Sequence, residues 1–234
     1  MKVLIACECS QAICLEFRML GDEAYSCDLE PEYGGHPEWH ILGDARCYLN
    51  GDCCAITCDN SIHYIDRWDL VIAHPPCTYL SICQNKYYNR ERFGDDYVNK
   101  RLREKERAVE FFMLFTDLDV PYLIENPIGC MSKIFRKPDQ IIQPWQFGES
   151  ATKATCLWLN GLPRLTPTKI IKKPAPHAFP KSHATMSDWY YRTSCLPHKE
   201  RARARSKTFP GIARAIAQQY HAFLQGPRNE NANS

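Results

Sequence analysis

Nothing in this chain of 234 residues approaches the length of apolar sequence that crosses a membrane, and the formal net charge is only +2. The first absence speaks against a membrane-spanning helix. The second excludes a protein that is basic throughout, so any nucleic-acid contact has to come from a local patch. Also missing is any Cys-x-x-Cys pair, although the chain holds 13 cysteines. Cys47, Cys53, Cys54, Cys58 and His63 therefore lack the usual spacing of a zinc site. Residues 54–58 and 62–65 flank Asp59-Asn60-Ser61 and read as a hairpin, so no metal is expected. The remaining cysteines are scattered through apparent strands and helices. They read as reduced, small hydrophobic residues of a cytoplasmic protein. The opening run Met1-Lys2-Val3-Leu4-Ile5-Ala6 reaches Glu8 too soon for a signal peptide and reads as a first strand.

The remaining pattern alternates strands with helices. Strands are expected at 2–7, 24–28, 39–42, 68–74, 121–125 and 154–159, with another near Ile170. Helices are expected at 11–20, 101–117 and 211–224. Residues 84–99 are polar and aromatic without periodicity and read as a surface loop. Residues 162–181 are rich in Pro and Lys, and 226–234 read as a disordered tail. The fold class expected is α/β, a mostly parallel sheet with helices on both faces. Residues 1–225 form one domain in this reading, with a small insert at about 160–205.

In such a sheet, ligands bind beyond the carboxyl ends of the strands. Glu8, Asp28, Asp44, Cys77 and Glu125 all fall at or just after those ends, so they share a rim. Ala73-His74-Pro75-Pro76-Cys77 closes one apolar run and Ile124-Glu125-Asn126-Pro127 closes another. A thiol and a carboxyl meeting in one crevice suit covalent catalysis on a pyrimidine. A thiolate adds to carbon 6 of cytosine while an acid stabilises ring nitrogen 3, and carbon 5 becomes nucleophilic. Cys77 is the expected nucleophile, in an electropositive and partly open setting. The paired prolines stiffen its turn. Glu125 is the expected acid, its carboxyl raised by burial. Asn126 either holds the Glu125 loop or contacts the base. Asp28 stands where a ribose hydroxyl is bound in nucleotide folds, or else caps a turn, and Asp44 after Gly43 has a similar turn-cap reading.

These residues resemble a known family, the carbon-5 cytosine DNA methyltransferases, and most closely the small group common in bacteriophage genomes. Pro75-Pro76-Cys77 matches the nucleophile motif, and Glu125-Asn126 matches the Glu-Asn-Val motif with Pro127 in place of Val. The small group adds Ile5-Ala6-Cys7-Glu8, Gln143-Pro144-Trp145-Gln146-Phe147-Gly148 and Arg205-Ser206-Lys207-Thr208-Phe209, so the similarity runs from residue 2 to about 224. It implies the Rossmann-like fold of S-adenosylmethionine-dependent methyltransferases, with S-adenosyl-L-methionine as cofactor and double-stranded DNA in a bacterial host cytoplasm as partner. No membrane and no obligate protein partner are implied. Cofactor contacts are implied for Cys7, Glu8, Ser10, Asp28, Asp44, His74, Pro75, Ser206 and Thr208, with Asp28 and Asp44 at ribose and adenine. Lys153 and Thr155 stand in for the two arginines of the Gln-x-Arg-x-Arg motif, leaving Lys153 as a catalytic cation. The first motif, glycine-rich in the family, here has no glycine in Cys7-Glu8-Cys9-Ser10-Gln11, so Glu8 or Ser10 is expected at the methionine end of the cofactor.

The family's large recognition domain is also reduced, to about 45 residues between Leu159 and Arg205. They carry Lys169, Lys172, Lys173, Lys181, Trp189, Tyr190, Tyr191 and Arg192, which read as a backbone grip with stacking rings or as a solvated flap. The run from His198 to Lys207 is the strongest local basic feature, and Lys172, Lys173, Arg201, Arg203 and Arg205 are the expected phosphate contacts. Two other functions stay open. One is the same chemistry on a free deoxycytidine nucleotide, and the other is a non-catalytic, masking nucleic-acid-binding protein that keeps the fold.

Overall fold

A computed structural model describes residues 1–178 and 185–226. Its first half reads β1 (Lys2–Ala6), α1 (Ala12–Met19), β2 (Glu23–Asp28), β3 (His40–Leu42), the hairpin β4 (Cys53–Ile56) and β5 (Ile62–Ile65), then β6 (Leu70–Ala73). Next come α2 (Arg90–Phe93), α3 (Asp95–Leu114), β7 (Tyr122–Pro127), α4 (Met131–Ile134), β8 (Gln140–Ile142) and β9 (Thr155–Asn160). The chain ends with β10 (Pro176–Ala178), β11 (Thr185–Ser187), α5 (Asp188–Ser194), α6 (His198–Ser206) and α7 (Pro210–Gln225).

Seven strands form one sheet in the order β3-β2-β1-β6-β7-β9-β8. The strands from β3 to β7 pair in parallel, while β9 runs antiparallel to both β7 and β8. The centre of the sheet is built from near-continuous apolar runs, such as Val3-Leu4-Ile5-Ala6 and Leu70-Val71-Ile72-Ala73, all fully buried. Runs of this kind are stable only with both sheet faces covered. On one face Val3, Ile5, Leu70, Ile72 and Leu123 meet Ile13 and Phe17 of α1 and Ile212, Ile216 and Tyr220 of α7. On the other, Leu4, Val71, Ile124 and Trp158 meet Phe112 of α3, while Tyr25 and Ile41 meet Ala55, Ile65 and Trp68 around the hairpin. The sheet changes its direction of growth between β1 and β6, the place where open α/β sheets leave a crevice beyond their carboxyl ends.

The hairpin forms as its turn residues suggest, with Asn60 at φ 68°. Three expectations are corrected. First, 84–99 is not a loop. A tight helical turn spans Ile82–Tyr88, and α3 begins at Asp95 and ends at Leu114 rather than running from 101 to 117. Gly94, at φ 79°, separates α2 from α3, and Asp95 and Asp96 occupy the first turn, where acids suit the helix N-terminus. Only Val98 and Phe112 of α3 are buried, so no apolar period marked its start. Second, β7 continues through Glu125 and Asn126 to Pro127, because β9 pairs with it along that whole length. Third, Ile170 lies in no strand. One bridge joins Phe147 to Lys169, and the edge strand is the three-residue β8. The expected tail beyond residue 226 and Lys181 lie outside the described residues. No helix among the described residues is long and apolar enough to cross a membrane.

Candidate active site

The thiol sits on a turn held from two sides. His74 N donates to Ala6 O at 3.0 Å, extending the β1–β6 pairing by one residue. The chain then turns through Pro75 and Pro76, and Leu80 N and Ser81 N both donate to Cys77 O at 3.1 Å. The segment after Cys77 lies against the one after β7. Cys130 N donates to Leu80 O at 2.8 Å and Ile82 N to Ile128 O at 3.0 Å. Gly129 makes this approach possible, since a Cβ there would stand 2.0 Å from Leu80 O. Asn126, 2% exposed, donates from Nδ2 to Pro75 O at 2.7 Å. That bond clamps the thiol turn to β7, while Asn126 Oδ1 is buried without a hydrogen-bond partner.

Parallel pairing of β6 with β7 stops at Ala73 and Ile124, so His74 and Glu125 are the next residues along both strands. His74 Nδ1 lies 3.0 Å from Glu125 Oε2. Burial pushes the Glu125 carboxyl up, but the His74 hydrogen bond and the charges of Lys153 and His74 outweigh it and leave the group below the ordinary carboxylate range. The expectation of a carboxyl raised by burial is therefore corrected for the free protein: the hydrogen bond with His74 and the Lys153 charge reverse the sign. Lys153 precedes β9, and its Nζ donates to Arg205 O at 2.8 Å. Cys77 is open to solvent, yet the surrounding protein and the Glu125 charge push its thiol up, with Lys153 opposing them. The electropositive setting expected for the thiol is supplied by Lys153 alone and is outweighed. His74, Glu125, Lys153 and Thr208 line one hollow, closed by Phe209 just before α7 and by Ile212 within it.

The turn from β1 into α1 manages without glycine by placing Cys7 (φ 61°) and Gln11 (φ 56°) in the left-handed region. Glu8 is buried beneath it. Its carboxylate accepts from Ile13 N at 2.9 Å, Cys14 N at 3.3 Å and Ser10 Oγ at 3.3 Å. It thus satisfies the start of α1, where a bound anion is often held. Burial raises the Glu8 carboxyl, while His74 and these donors pull it down. Glu8 and Ser10 are therefore turned to the helix and not outward. Gln11 bonds both the N–H and the C=O of His36, which draws the Tyr33-Gly34 loop over this turn.

Cys7, Asp28, Asp44 and Pro76 line a cavity of about 300 Å³ with Cys27, Leu29 and Phe111, beyond the ends of β2 and β3. Asp44 is also a turn cap, accepting from Arg46 N, and the Arg46 guanidinium holds its carboxyl low. Asp28 accepts from Glu30 N at 3.0 Å. A larger hollow, about 790 Å³, lies around Met1, Arg67 and Asp119, beyond the amino ends of β1, β6 and β7 and so at the end of the strands opposite the site residues. Among the described residues no cluster of three or more His, Cys, Asp or Glu is arranged to hold a metal.

The basic run folds as α6, and its arginines point different ways. Arg201 donates to Ser194 O at 3.4 Å. Arg205 donates to Thr193 Oγ1 at 3.1 Å and Ser194 Oγ at 2.7 Å, and lies 3.8 Å over the Tyr190 ring. Arg203 is exposed over Tyr33. Lys172 and Lys173 are exposed, as is Ser206, whose Oγ donates to Arg203 O. Reading the chain missed Tyr33, which packs beside Ser206 and Ser10, and Phe111, which walls the cavity. It also missed the ring cluster of Tyr79, Tyr87, Tyr88 and Tyr97 around Arg101, which stiffens the segment after Cys77. The run of tyrosines between Tyr79 and Tyr97 was its only signal. Compared with known proteins, the chain matches no family model and no curated relative.

Proposed function

We propose that this protein is an S-adenosylmethionine-dependent methyltransferase acting on carbon 5 of cytosine in DNA through a covalent adduct with Cys77. The observation that carries the reading is that Cys77 lies near enough to Glu125 and Lys153 for both charges to act on its thiol, with the Cys77 turn clamped to β7 by Asn126. A thiol beside a carboxyl and a fixed cation is the set that pyrimidine addition needs. The cavity lined by Cys7, Asp28, Asp44 and Pro76 fits a nucleoside: two carboxylates for hydroxyl and amino groups, and Leu29, Pro76 and Phe111 for a flat ring. When bound, the cofactor supplies an electrophilic methyl group. Cys77 adds to carbon 6, Glu125 holds the proton at ring nitrogen 3, and Lys153 stabilises charge near both. A base in duplex DNA must leave its stack to reach them. Short or relaxed sequence specificity follows from the small insert.

One observation favours a second reading. Arg201 and Arg205 are engaged within the protein, so fewer cations face outward than a long DNA contact uses. The same chemistry would then act on a free deoxycytidine nucleotide. Trapping separates the two. A duplex containing 5-fluoro-2′-deoxycytidine, mixed with the protein and S-adenosylmethionine, should yield a covalent complex carried by the Cys77 peptide, because fluorine cannot leave as a proton. Trapping of the 5-fluoro nucleotide alone would favour the second reading. No adduct with either would overturn the covalent mechanism.

A further inference from the structure

Four ionisable groups stand in a row across the rim, one from each of the neighbouring segments β1, β6, β7 and β9: Glu8, His74, Glu125 and Lys153. His74 occupies the middle. Its Nδ1 is 3.0 Å from Glu125 Oε2, and its Nε2 is buried with no hydrogen-bond partner. It lines the hollow with Glu125 and Lys153, whereas the Asp28–Asp44 cavity is walled by other residues. We propose that His74 is a positioning residue that supplies Glu125 with the proton for ring nitrogen 3, rather than a cofactor contact. The inference rests on the methyl-transfer reading of the same site.

The chemistry needs such a source. In the free protein Glu125 lies on the ionised side, held there by His74 and Lys153 against burial. An ionised carboxylate has no proton to give. A protonated His74 has one, on the nitrogen already bonded to Glu125. As the Cys77 thiolate adds to carbon 6, the C5=C6 electron pair shifts to C4=C5 and the C4=N3 pair moves onto nitrogen 3. Nitrogen 3 takes a proton from Glu125, which draws one from His74 Nδ1 and leaves the imidazole neutral. Elimination of the thiolate re-forms the C5=C6 and C4=N3 bonds and returns that proton by the same path, so the relay consumes none. The proton displaced from carbon 5 leaves to water. Neutralising Glu125 also removes one of the influences that hold the Cys77 thiol up, of which burial is the largest. The groups facing the pair are Glu8 from the β1–α1 turn, Cys77 from the β6 turn, and Lys153 and Cys156 from β9 and its approach. From α7 and its approach come only Thr208, Phe209, Ile212 and Ile216, none of them charged.

The test joins two readouts on the full chain. The Glu125 carboxyl carbon is titrated by NMR, without cofactor or DNA, in wild type, His74→Ala and His74→Asn. Asn keeps an N–H close to the Nδ1 position but carries no transferable proton. The Glu125 midpoint should rise in both variants. Methyl transfer should fall by about 10²-fold or more in both, the contribution of a positioned acid. An unmoved midpoint in a folded variant, or full rescue of the rate by Asn, would overturn the relay and leave the methyl-transfer reading standing. Absence of methyl transfer by wild type on DNA and on nucleotide would overturn that reading, and the relay's purpose with it.

Discussion

Asn126→Ala tests whether the β7 clamp sets the position of the thiol. The side chain is almost wholly buried, and its single hydrogen bond, 2.7 Å from Nδ2 to Pro75 O, is the link between the Glu125 strand and the Pro75-Pro76-Cys77 turn. Removing it leaves a buried carbonyl without its donor, which costs about 1–3 kcal/mol. Some of that returns, because Asn126 Oδ1 is itself buried and unpartnered and disappears with the side chain. The net destabilisation should be about 1–2 kcal/mol. In a domain of this size that lowers Tm by roughly 2–8 °C. The catalytic loss should exceed the stability loss. A reacting group displaced by about 1 Å forfeits on the order of 10²-fold in rate, even in protein that is fully folded at the assay temperature. Asn126→Asp should be worse than Ala, since it sets a second oxygen against Pro75 O and a second charge beside Glu125. The assays are thermal unfolding and the rate of covalent trapping at 25 °C. A Tm within 1 °C of wild type, together with an unchanged trapping rate, would refute the clamp.

Three further outcomes follow from the charges around the rim. Glu8 is raised by burial, so it contributes stability at acidic pH that is lost as pH rises through its folded value. Glu8→Gln should therefore gain on wild type as pH rises above the ordinary carboxylate range in denaturant titrations, and a constant difference would show that Glu8 is not raised. Alkylation of Cys77, followed by peptide mass spectrometry, should be slow at pH 7 and accelerate only toward alkaline pH, because burial and Glu125 hold the thiol up. Lys153→Met should slow it further, and a faster reaction would remove Lys153 from the site. Arg203→Gln should weaken DNA binding and flatten its salt dependence with little change in Tm, whereas Arg205→Gln should lower Tm through its lost bonds to Thr193 and Ser194. Equal effects of the two would contradict the different directions in which α6 points them.

The parallel centre of the sheet was legible because its strands are near-continuous apolar runs ending in polar residues, and the rim followed from that. Cys77 and Glu125 stood out because each ends such a run. What was hidden depended on partners distant in sequence. Glu125 and Asn126 lie inside β7 only because β9 returns antiparallel beside them, and β8 is too short and too exposed to leave a pattern. The start of α3 was lost because its solvent-facing turns carry charge on most sides. The direction of the Glu125 pKa required knowing that His74 and Lys153 flank it, which neither periodicity nor spacing states. Composition likewise showed the basic run but not that two of its arginines are spent on Ser194, Thr193 and Tyr190.

Nucleoside mass spectrometry of DNA incubated with the purified protein and S-adenosylmethionine tests the central claim most directly. A new 5-methyldeoxycytidine peak from wild type, absent with Cys77→Ala while that variant still shows a thermal shift with S-adenosylhomocysteine, is the result expected. The same peak from Cys77→Ala would contradict the covalent role of Cys77, and unmodified DNA from a wild-type protein that binds the cofactor would contradict DNA cytosine as its substrate.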